Sequence, residues 1–414
     1  MINFTLSKTT AIVSLFFLVR TLHAQIIFVN NSNTFGNVVT PSGAPVQAIL
    51  TNPQAMASGY VGVVASELNM QNGLDQNPAL LASKNKVVGF QLLNYSSHAP
   101  ESVAQSRLFE SGVYATKGKH AFGFSSRYLL LPESIVTDIL GNPISSATPF
   151  EFFTGIRYAI RLSEHLSLGA GLTYIHSNLI NGISSIQGIN TKPANALAGD
   201  FGLSYRKTLL QIDSFNLKWN AGLSVLNLGN KIRYTETANG FFLPQNLRIG
   251  SLFTLKWNMK NKQYFAVDFS YQATKALVPT PPIYTLNNGY PVIVDGLDPN
   301  VSPLRGAVQS FYDAPGRFSE ELREIIHQFG TEARWSLVDN KLLLALRGGY
   351  FNEHETKGNR KFVTAGLGIG FSGFRLDFAH LFPTNENHPL KGTFFLGIGG
   401  RLSLNEGSLF KFIE

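Results

Sequence analysis

The chain has 414 residues, and only 14% of them are Asp, Glu, Lys or Arg, whereas 44% are hydrophobic. This hydrophobic content excludes a disordered chain, and 38 glycines with so few charges exclude a coiled coil. Cysteine is absent, so disulfides, thiolate metal sites and thiol nucleophiles are excluded as well. The formal net charge is +8, but Lys and Arg form no cluster, so nucleic acid is not a predicted partner.

Residues 1–24 have the order of a secretory signal peptide. Lys8 precedes an apolar stretch from Thr9 to Val19, and the small residue Ala24 stands before a cleavage site at Gln25. An N-terminal membrane anchor is the alternative. About eleven apolar residues are too few to cross about 30 Å of hydrocarbon, so we favour a cleaved signal.

Residues 25–85 form a separate segment, because they show no regular alternation of apolar and polar residues. Two stretches in it tolerate a helix, 46–50 and 62–69. Its prolines are Pro41, Pro45, Pro53 and Pro78.

From residue 86 onward, segments of about ten to fourteen residues alternate with period two, the pattern of β-strands with one apolar face. In the segment from Lys361 to Phe371, Leu367 belongs to the apolar face and Gly368 to the opposite one. Arg375 and Asp377 are predicted to point the same way as Gly368, away from the apolar face. The alternation predicts about fourteen strands, near 86–95, 104–116, 119–131, 149–162, 165–177, 195–208, 215–227, 246–256, 262–275, 325–337, 340–351, 361–372, 373–382 and 392–404.

The connections between these strands alternate in length. Those after even-numbered strands are tiny, whereas those after odd-numbered strands reach about 17 or 18 residues and, at 276–324, about 49. A soluble sandwich has no reason to sort its loops in this way, but outer-membrane barrels do, with short periplasmic turns and long surface loops. No run of 18 apolar residues offers a transmembrane helix.

We therefore predict an all-β fold, a transmembrane outer-membrane β-barrel of about 14 antiparallel strands over residues 86–404, with a periplasmic C-terminal tail at 405–414. Only a closed sheet satisfies its backbone groups in lipid. A barrel of fourteen strands has a lumen too wide for side chains to fill, so residues 25–85 are predicted to form a plug. A periplasmic arm is the alternative for this segment. Charge should be costly on the lipid face, as at Leu367, and tolerated in the lumen, as at Gly368, unless it meets the plug.

The sequence offers little chemistry. Residues 368–373 match G-x-G-x-x-G, but they lie in and after a strand with no helix to receive a pyrophosphate. No second His follows His354-Glu355 at helical spacing, and there is no G-x-S-x-G nucleophile motif. Glu320, Glu321 and Glu324, beside Arg317 and Arg323, indicate a solvated loop helix. We predict no catalytic residues, no metal, no cofactor and no enzymatic activity.

Several segments carry a resemblance to a known family. The chain resembles the PorV (LptO) family, the outer-membrane protein of the type IX secretion system, within the fatty-acid-transporter-like barrel superfamily. The resemblance covers most of the chain and rests on Asn77-Pro78-Ala79, on 242–250 (FLPQNLRIG), on 277–282 (LVPTPP), on 311–325 (FYDAPGRFSEELREI), on 348–360 (GGYFNEHETKGNR) and on 387–390 (NHPL).

The resemblance implies a carrier of proteins. Family members bind the C-terminal signal domain of cargo proteins, receive the cargo from the giant translocon barrel and deliver it to a cell-surface attachment complex that contains a sortase. It also implies residence in the outer membrane, in contact with its lipid. The alternative is a fatty-acid-transporter-like channel for hydrophobic solutes, gated by the N-terminal plug. A structural porin is a third possibility, which the long loop and the plug disfavour.

The long loop at 276–324 is the predicted partner-binding region, because it presents apolar groups where the surface is otherwise wet. Ser319 is a candidate N-cap of a helix that aims Phe318, Leu322 and Ile325 the same way. The alternative is that the aromatic residues fold back over the barrel mouth as a lid. The candidate residues are Phe311, Tyr312, Asp313, Pro315, Phe318, Leu322, Phe241 and Phe242.

Overall fold

The structure, a computed structural model, describes residues 52–66, 69–82, 87–97, 107–131, 133–137, 143–179, 185–186, 189–235, 240–288, 290–337, 341–384, 391–403 and 411–412. The predicted signal peptide, the helix-tolerant stretch 46–50 and most of the predicted tail lie outside these residues.

The chain contains twenty-one strands within the described residues, of which fourteen form one closed barrel. In chain order the strands are β1 (Val87–Ser97), β2 (Arg107–Lys117), β3 (His120–Leu130), β4 (Ser134–Thr137), β5 (Pro143–Ala147), β6 (Phe150–Arg161), β7 (Leu166–Asn178), β8 (Ser185–Ile186), β9 (Ile189–Asn190), β10 (Ala194–Ile212), β11 (Phe215–Gly229), β12 (Asn246–Asn258), β13 (Tyr264–Ala276), β14 (Ile283–Asn287), β15 (Tyr290–Asp295), β16 (Ile326–Leu337), β17 (Leu342–Asn352), β18 (Lys361–Phe371), β19 (Phe374–Pro383), β20 (Phe394–Ser403) and β21 (Lys411–Phe412).

Each barrel strand pairs antiparallel with the next, and β1 pairs with β20 to close the sheet. The pairs β4–β5, β8–β9 and β14–β15 are separate hairpins in the long connections, and β21 adds two residues beside β20. The predicted fold class and all fourteen predicted strands are confirmed, with boundaries that differ by a few residues. The largest difference is β10, which runs on to Ile212 because it and β11 continue as a hairpin beyond the predicted ends.

The two faces of the barrel differ as the alternation predicts. The outward side chains Leu367, Ile369 and Phe371 are each more than half exposed, as apolar groups are when they face lipid. The inward Asp377 is only 4% exposed. The closed barrel with its apolar outer face is an outer-membrane barrel, in which every strand edge is paired. No helix in the described ranges is long and apolar enough to cross a membrane.

Five short helices accompany the strands. Three lie in the N-terminal segment: helix α1 (Pro53–Ala57) and the 3₁₀ helices Met70–Leu74 and Pro78–Leu81. Helices α2 (Pro303–Gln309) and α3 (Phe318–Arg323) lie in the longest connection, and a further 3₁₀ turn spans Glu355–Lys357. Residues 62–66, which the sequence suggested could be helical, are not.

The N-terminal segment, residues 52–82, contacts the inward face of the barrel. Gln54 Nε2 donates to Asp377 Oδ2 over 2.7 Å, the Gly59 amide donates to Thr364 Oγ1 over 3.0 Å, and Asn77 Nδ2 donates to the carbonyl of Leu203 over 3.0 Å. Asn52 and Asn77 also cap the two turns that begin with Pro53 and Pro78, so the local sequence fixes both turns. These contacts support the prediction that the segment closes the lumen to solutes, which stays a prediction.

Gly349 tests how tightly this segment is seated. A Cβ at Gly349 would lie 2.0 Å from the Gly59 amide nitrogen, whereas a Cβ at the neighbouring, outward-facing Gly348 has no atom nearer than 3.8 Å. We expect Gly349→Val to unseat residues 52–82 and Gly348→Val to leave them in place. Limited proteolysis of the purified barrel should cut the segment in the first variant only. Equal protection in both variants would show that the segment does not depend on this contact.

Candidate partner-binding surface

The longest connection, residues 277–325, is folded. The hairpin β14–β15 and the helices α2 and α3 lie within it, between the barrel strands β13 and β16. It belongs to the end of the barrel that carries the long connections, called here the long-loop end; the opposite end carries the short turns. Because short turns are periplasmic in outer-membrane barrels, we expect the long-loop end to face the cell surface.

Buried ion pairs fix helix α3 to the end of strand β13. Lys275 Nζ lies 2.8 Å from Glu321 Oε2 and 2.8 Å from Glu324 Oε2, and Thr280 Oγ1 donates to Glu324 Oε1 over 2.7 Å. Lys357, from the next long connection, lies 3.2 Å from Glu324 Oε1. The expectation of a solvated helix is therefore wrong for Glu321, which is 6% exposed because its carboxylate is needed to pair with Lys275.

The electrostatics agree with this geometry at Glu324. Burial alone would raise the pKa of its carboxyl group, but the hydrogen bond and charge of Lys275 outweigh that effect. The net result is a pKa below the usual value for Glu. Glu324 is therefore a charged anchor of the loop.

Two of the predicted partner-binding residues are buried and stabilise the loop. The Asp313 carboxylate is 1% exposed and accepts a hydrogen bond of 3.2 Å from the Thr280 amide. Phe242 is 7% exposed, and a Cβ at Gly306 in α2 would lie 2.6 Å from its ring. Lys231 Nζ stands 4.3 Å from the centroid of that ring. Neither Asp313 nor Phe242 is available to a partner.

The other aromatic candidates are exposed. Phe318 is 75% exposed and Tyr312 is 62% exposed, whereas Pro315 is partly buried. Phe318 and Leu322 are four residues apart on α3 and therefore share a face of that helix. Phe311, Phe241 and Leu322 are each about half exposed. We call Phe311, Tyr312, Phe318 and Leu322 the apolar loop surface.

Ser319 does not cap α3, contrary to the sequence prediction. The helix begins at Phe318, and its N-cap is Arg317, whose φ of 62° lies in the left-handed region. The Ser319 hydroxyl donates to the carbonyl of Gly316 over 3.3 Å. The turn at Gly316 and Arg317 starts the helix one residue earlier than a Ser319 cap requires. Ile325 lies beyond the end of the helix and is partly buried.

Sequence reasoning missed a second exposed apolar region in the same connection. Hairpin β14–β15 carries apolar side chains on both faces, and α2 adds two more. The signal was present, because Asn288-Gly289 stands between two apolar runs and this dipeptide favours a hairpin turn. The most exposed of these side chains are Tyr284, Leu286, Tyr290, Val294, Leu304 and Val308.

A second feature that the sequence did not reveal is a balanced charge cluster in the lumen. Arg347, whose side chain is fully buried, pairs with Glu332 and lies 2.9 Å from Asp377 Oδ1. Arg334 lies 2.9 Å from Asp268 and 2.8 Å from Glu332. With Arg375, which lies 2.8 Å from Asp377, three guanidinium groups face three carboxylates. We call these six residues the lumen charge cluster.

The lumen charge cluster corrects one expectation. A Cβ at Gly368 would lie 2.5 Å from Asp377 Oδ1 and 3.0 Å from the Arg347 guanidinium. An arginine at position 368 would add a fourth guanidinium to a cluster that is already balanced. The expectation that the lumen tolerates charge there is therefore wrong. The described residues contain no group of three or more His, Asp or Glu side chains that could hold a metal ion.

Residues 31–283, more than half of the chain, match the family model described as type IX secretion system protein PorV. The chain belongs to the PorV family. No curated protein matches it.

Solved structures of outer-membrane barrels are similar to it at low identity. The toluene transporter TbuX of Ralstonia pickettii is 11% identical with a TM-score of 0.41, over 86% of this chain and 98% of that chain. The monoaromatic hydrocarbon channel CymD gives the same four values. A FadL homologue of Pseudomonas aeruginosa is 11% identical with a TM-score of 0.37, over 88% and 97%.

In this PorV-family chain, Asp313 makes the order of the long loop dependent on pH. Burial raises the pKa of its carboxyl group from 3.8 to about 6. A raised carboxyl pKa stabilises the folded loop below the unfolded value, and this contribution is lost as the pH rises through about 6. We expect hydrogen-exchange protection factors in 310–325 to fall between about pH 5 and about pH 8, and Asp313→Asn to remove that fall. Asp213→Asn, in an exposed turn, is the control; the same fall in the Asp313 variant would exclude this origin.

Proposed function

We propose that this chain, an outer-membrane component of the type IX secretion system, binds the C-terminal signal domain of secreted cargo at the apolar loop surface. It receives cargo from the translocon barrel and passes it to the attachment complex that contains the sortase. It acts by binding and release, without catalysis. The exposure of Phe311, Tyr312 and Phe318 on an anchored loop is the observation that carries the proposal.

Anchoring makes this surface suited to binding. A flexible loop pays conformational entropy when it orders on a partner, whereas a pre-organised one does not. Here Lys275 ties α3 to the barrel through Glu321 and Glu324. Exposed aromatic side chains on a fixed support are the residues that most often supply the energy of protein interfaces.

The exposure also favours a partner surface over a lid. Rings folded back over the barrel mouth would be covered by the barrel, but Phe318 and Tyr312 are mostly in contact with solvent. Phe311 is the most enclosed of the three, with Lys275 Nζ 5.8 Å from its ring centroid. A ring held by its support on one side and open on the other can contact a partner without rearrangement.

Replacing Phe311, Tyr312 and Phe318 together with Ser should abolish surface delivery of cargo while the barrel still folds and reaches the membrane. A central aromatic anchor costs roughly 2 kcal/mol or more when it is truncated. The measurement is the amount of cargo on the cell surface, with the heat-modifiable gel mobility of the barrel as the folding check. Thr285→Ser, Asn300→Ser and Arg305→Ser together, at exposed polar positions of the same loop, form the matched control.

The solute-channel alternative has the opposite sensitivity. In that case secretion survives the triple change, and deleting the stretch around Asn77-Pro78-Ala79 alters permeability to hydrophobic solutes instead. Normal cargo delivery by the triple variant would refute the loop proposal, and the binding surface would then be sought at 178–194 or 228–245.

A further inference from the structure

The short-turn end of the barrel contains a wide cavity, far from the apolar loop surface. Its volume is about 1100 Å³. Its floor includes Pro53, Gln54 and Ser66 of the N-terminal segment, and Glu164 and Ser372 of the short turns lie at its rim. The cavity is therefore a blind hollow that opens at the short-turn end, where we expect the periplasm.

The walls of this cavity are strongly basic. Inward positions near the short-turn ends of six different strands each carry a Lys or Arg, whereas the acidic side chains in the described lining are Glu164 and Asp377. Asp377 is already engaged by Arg347 and Arg375. The six basic residues are Arg161, Arg206, Lys218, Lys256, Arg375 and Arg401.

Two guanidinium groups in the lining have hydrogen-bonding capacity to spare. Arg375 uses Nε for Asp377 and Nη1 for Asn69, but its Nη2 is buried without a hydrogen-bond partner among the described atoms. Arg334 Nε is in the same position. Buried donors in native proteins are nearly always satisfied, so donors of this kind indicate an acceptor that binds from outside the chain.

The preceding part of the chain cannot supply the missing negative charge. Asn52 lies in the cavity lining, and residues 25–51, which precede it, contain no Asp or Glu. A concentration of positive charge around a concave, partly dry site attracts anions strongly. Arginine forks suit phosphate oxygens in particular.

We propose that this cavity binds an anion that carries several phosphate groups. The volume is slightly above the range of about 300 to 1,000 Å³ of ordinary small-molecule pockets, so the ligand can be bulky. The phosphates can belong to a soluble molecule or to a lipid headgroup. An acidic protein segment is the competing occupant, but a hollow with a closed floor has no path for a chain to pass through.

The test uses the full barrel purified in non-ionic detergent at low ionic strength. Binding of inorganic tripolyphosphate is measured by calorimetry, and binding of phosphatidylglycerol is measured in mixed micelles against phosphatidylcholine. The cavity variant combines Lys218→Gln, Lys256→Gln and Arg401→Gln. The control removes the same charges outside the cavity, by Lys117→Gln, Lys119→Gln and Arg305→Gln; all three residues are exposed. Heat-modifiable gel mobility confirms that each variant is folded.

We expect saturable binding that weakens at least about tenfold in the cavity variant and less than about twofold in the control, since one lost charge-assisted contact is worth about tenfold. Tripolyphosphate binding alone identifies a soluble ligand, and a preference for phosphatidylglycerol identifies a lipid headgroup. The proposal is overturned if neither probe binds, if both variants lose affinity equally, or if only a poly-glutamate peptide binds at the cavity.

Discussion

Replacing Arg347 with Met is expected to lower the free energy of unfolding of the barrel by about 3 to 5 kcal/mol. Arg347 is fully buried and bridges Glu332 on β16 and Asp377 on β19. Without it, two buried carboxylates face too little positive charge, and the desolvation that they suffered on folding is no longer offset. Met fills a similar volume, so the loss measures the charge rather than a cavity.

Urea unfolding of the barrel in detergent measures this loss. The control is Arg323→Met, which removes a guanidinium from the surface pair with Glu320, where the Arg323 side chain is 46% exposed. Exposed pairs are worth less than about 1 kcal/mol, so the control should unfold almost as the unchanged protein does. Similar midpoints for both variants would show that the lumen charge cluster does not stabilise the barrel.

Leu367→Arg is expected to cost about 2 to 4 kcal/mol, because an arginine near the bilayer midplane loses its hydration. Leu367 lies near the middle of β18 and is 54% exposed on the outer face. Leu297→Arg, at an exposed position in the long loop, is the control and should be nearly neutral. The measurement is unfolding in lipid vesicles followed by gel mobility. A harmless Leu367→Arg would mean that this face of β18 does not contact hydrocarbon.

The barrel was predictable because lipid imposes one rule on every strand. Alternation put Leu367 outward and Arg375 and Asp377 inward, and the structure confirms these directions. The partners of those charges were not predictable. Arg347 and Glu332 meet Asp377 and each other through the strand register, which local sequence does not encode.

The loop was less predictable, because water imposes no such rule on it. Exposure of Phe318 and Tyr312 followed from their place in a long connection, but the same reasoning included Phe242 and Asp313, which are buried. An aromatic or acidic residue in a loop can hold the loop together as readily as it can meet a partner. Only the packing of Phe242 against Gly306 separates the two roles.

The central claim, that the apolar loop surface binds cargo, is tested most directly by equilibrium binding. The purified barrel is titrated with an isolated C-terminal signal domain, unchanged and with Phe311, Tyr312 and Phe318 replaced by Ser. The account predicts at least about thirtyfold weaker binding by the triple variant, the equivalent of about 2 kcal/mol, and unchanged binding by the polar control at Thr285, Asn300 and Arg305. Equal affinity of the triple variant and the unchanged protein for the signal domain would contradict it.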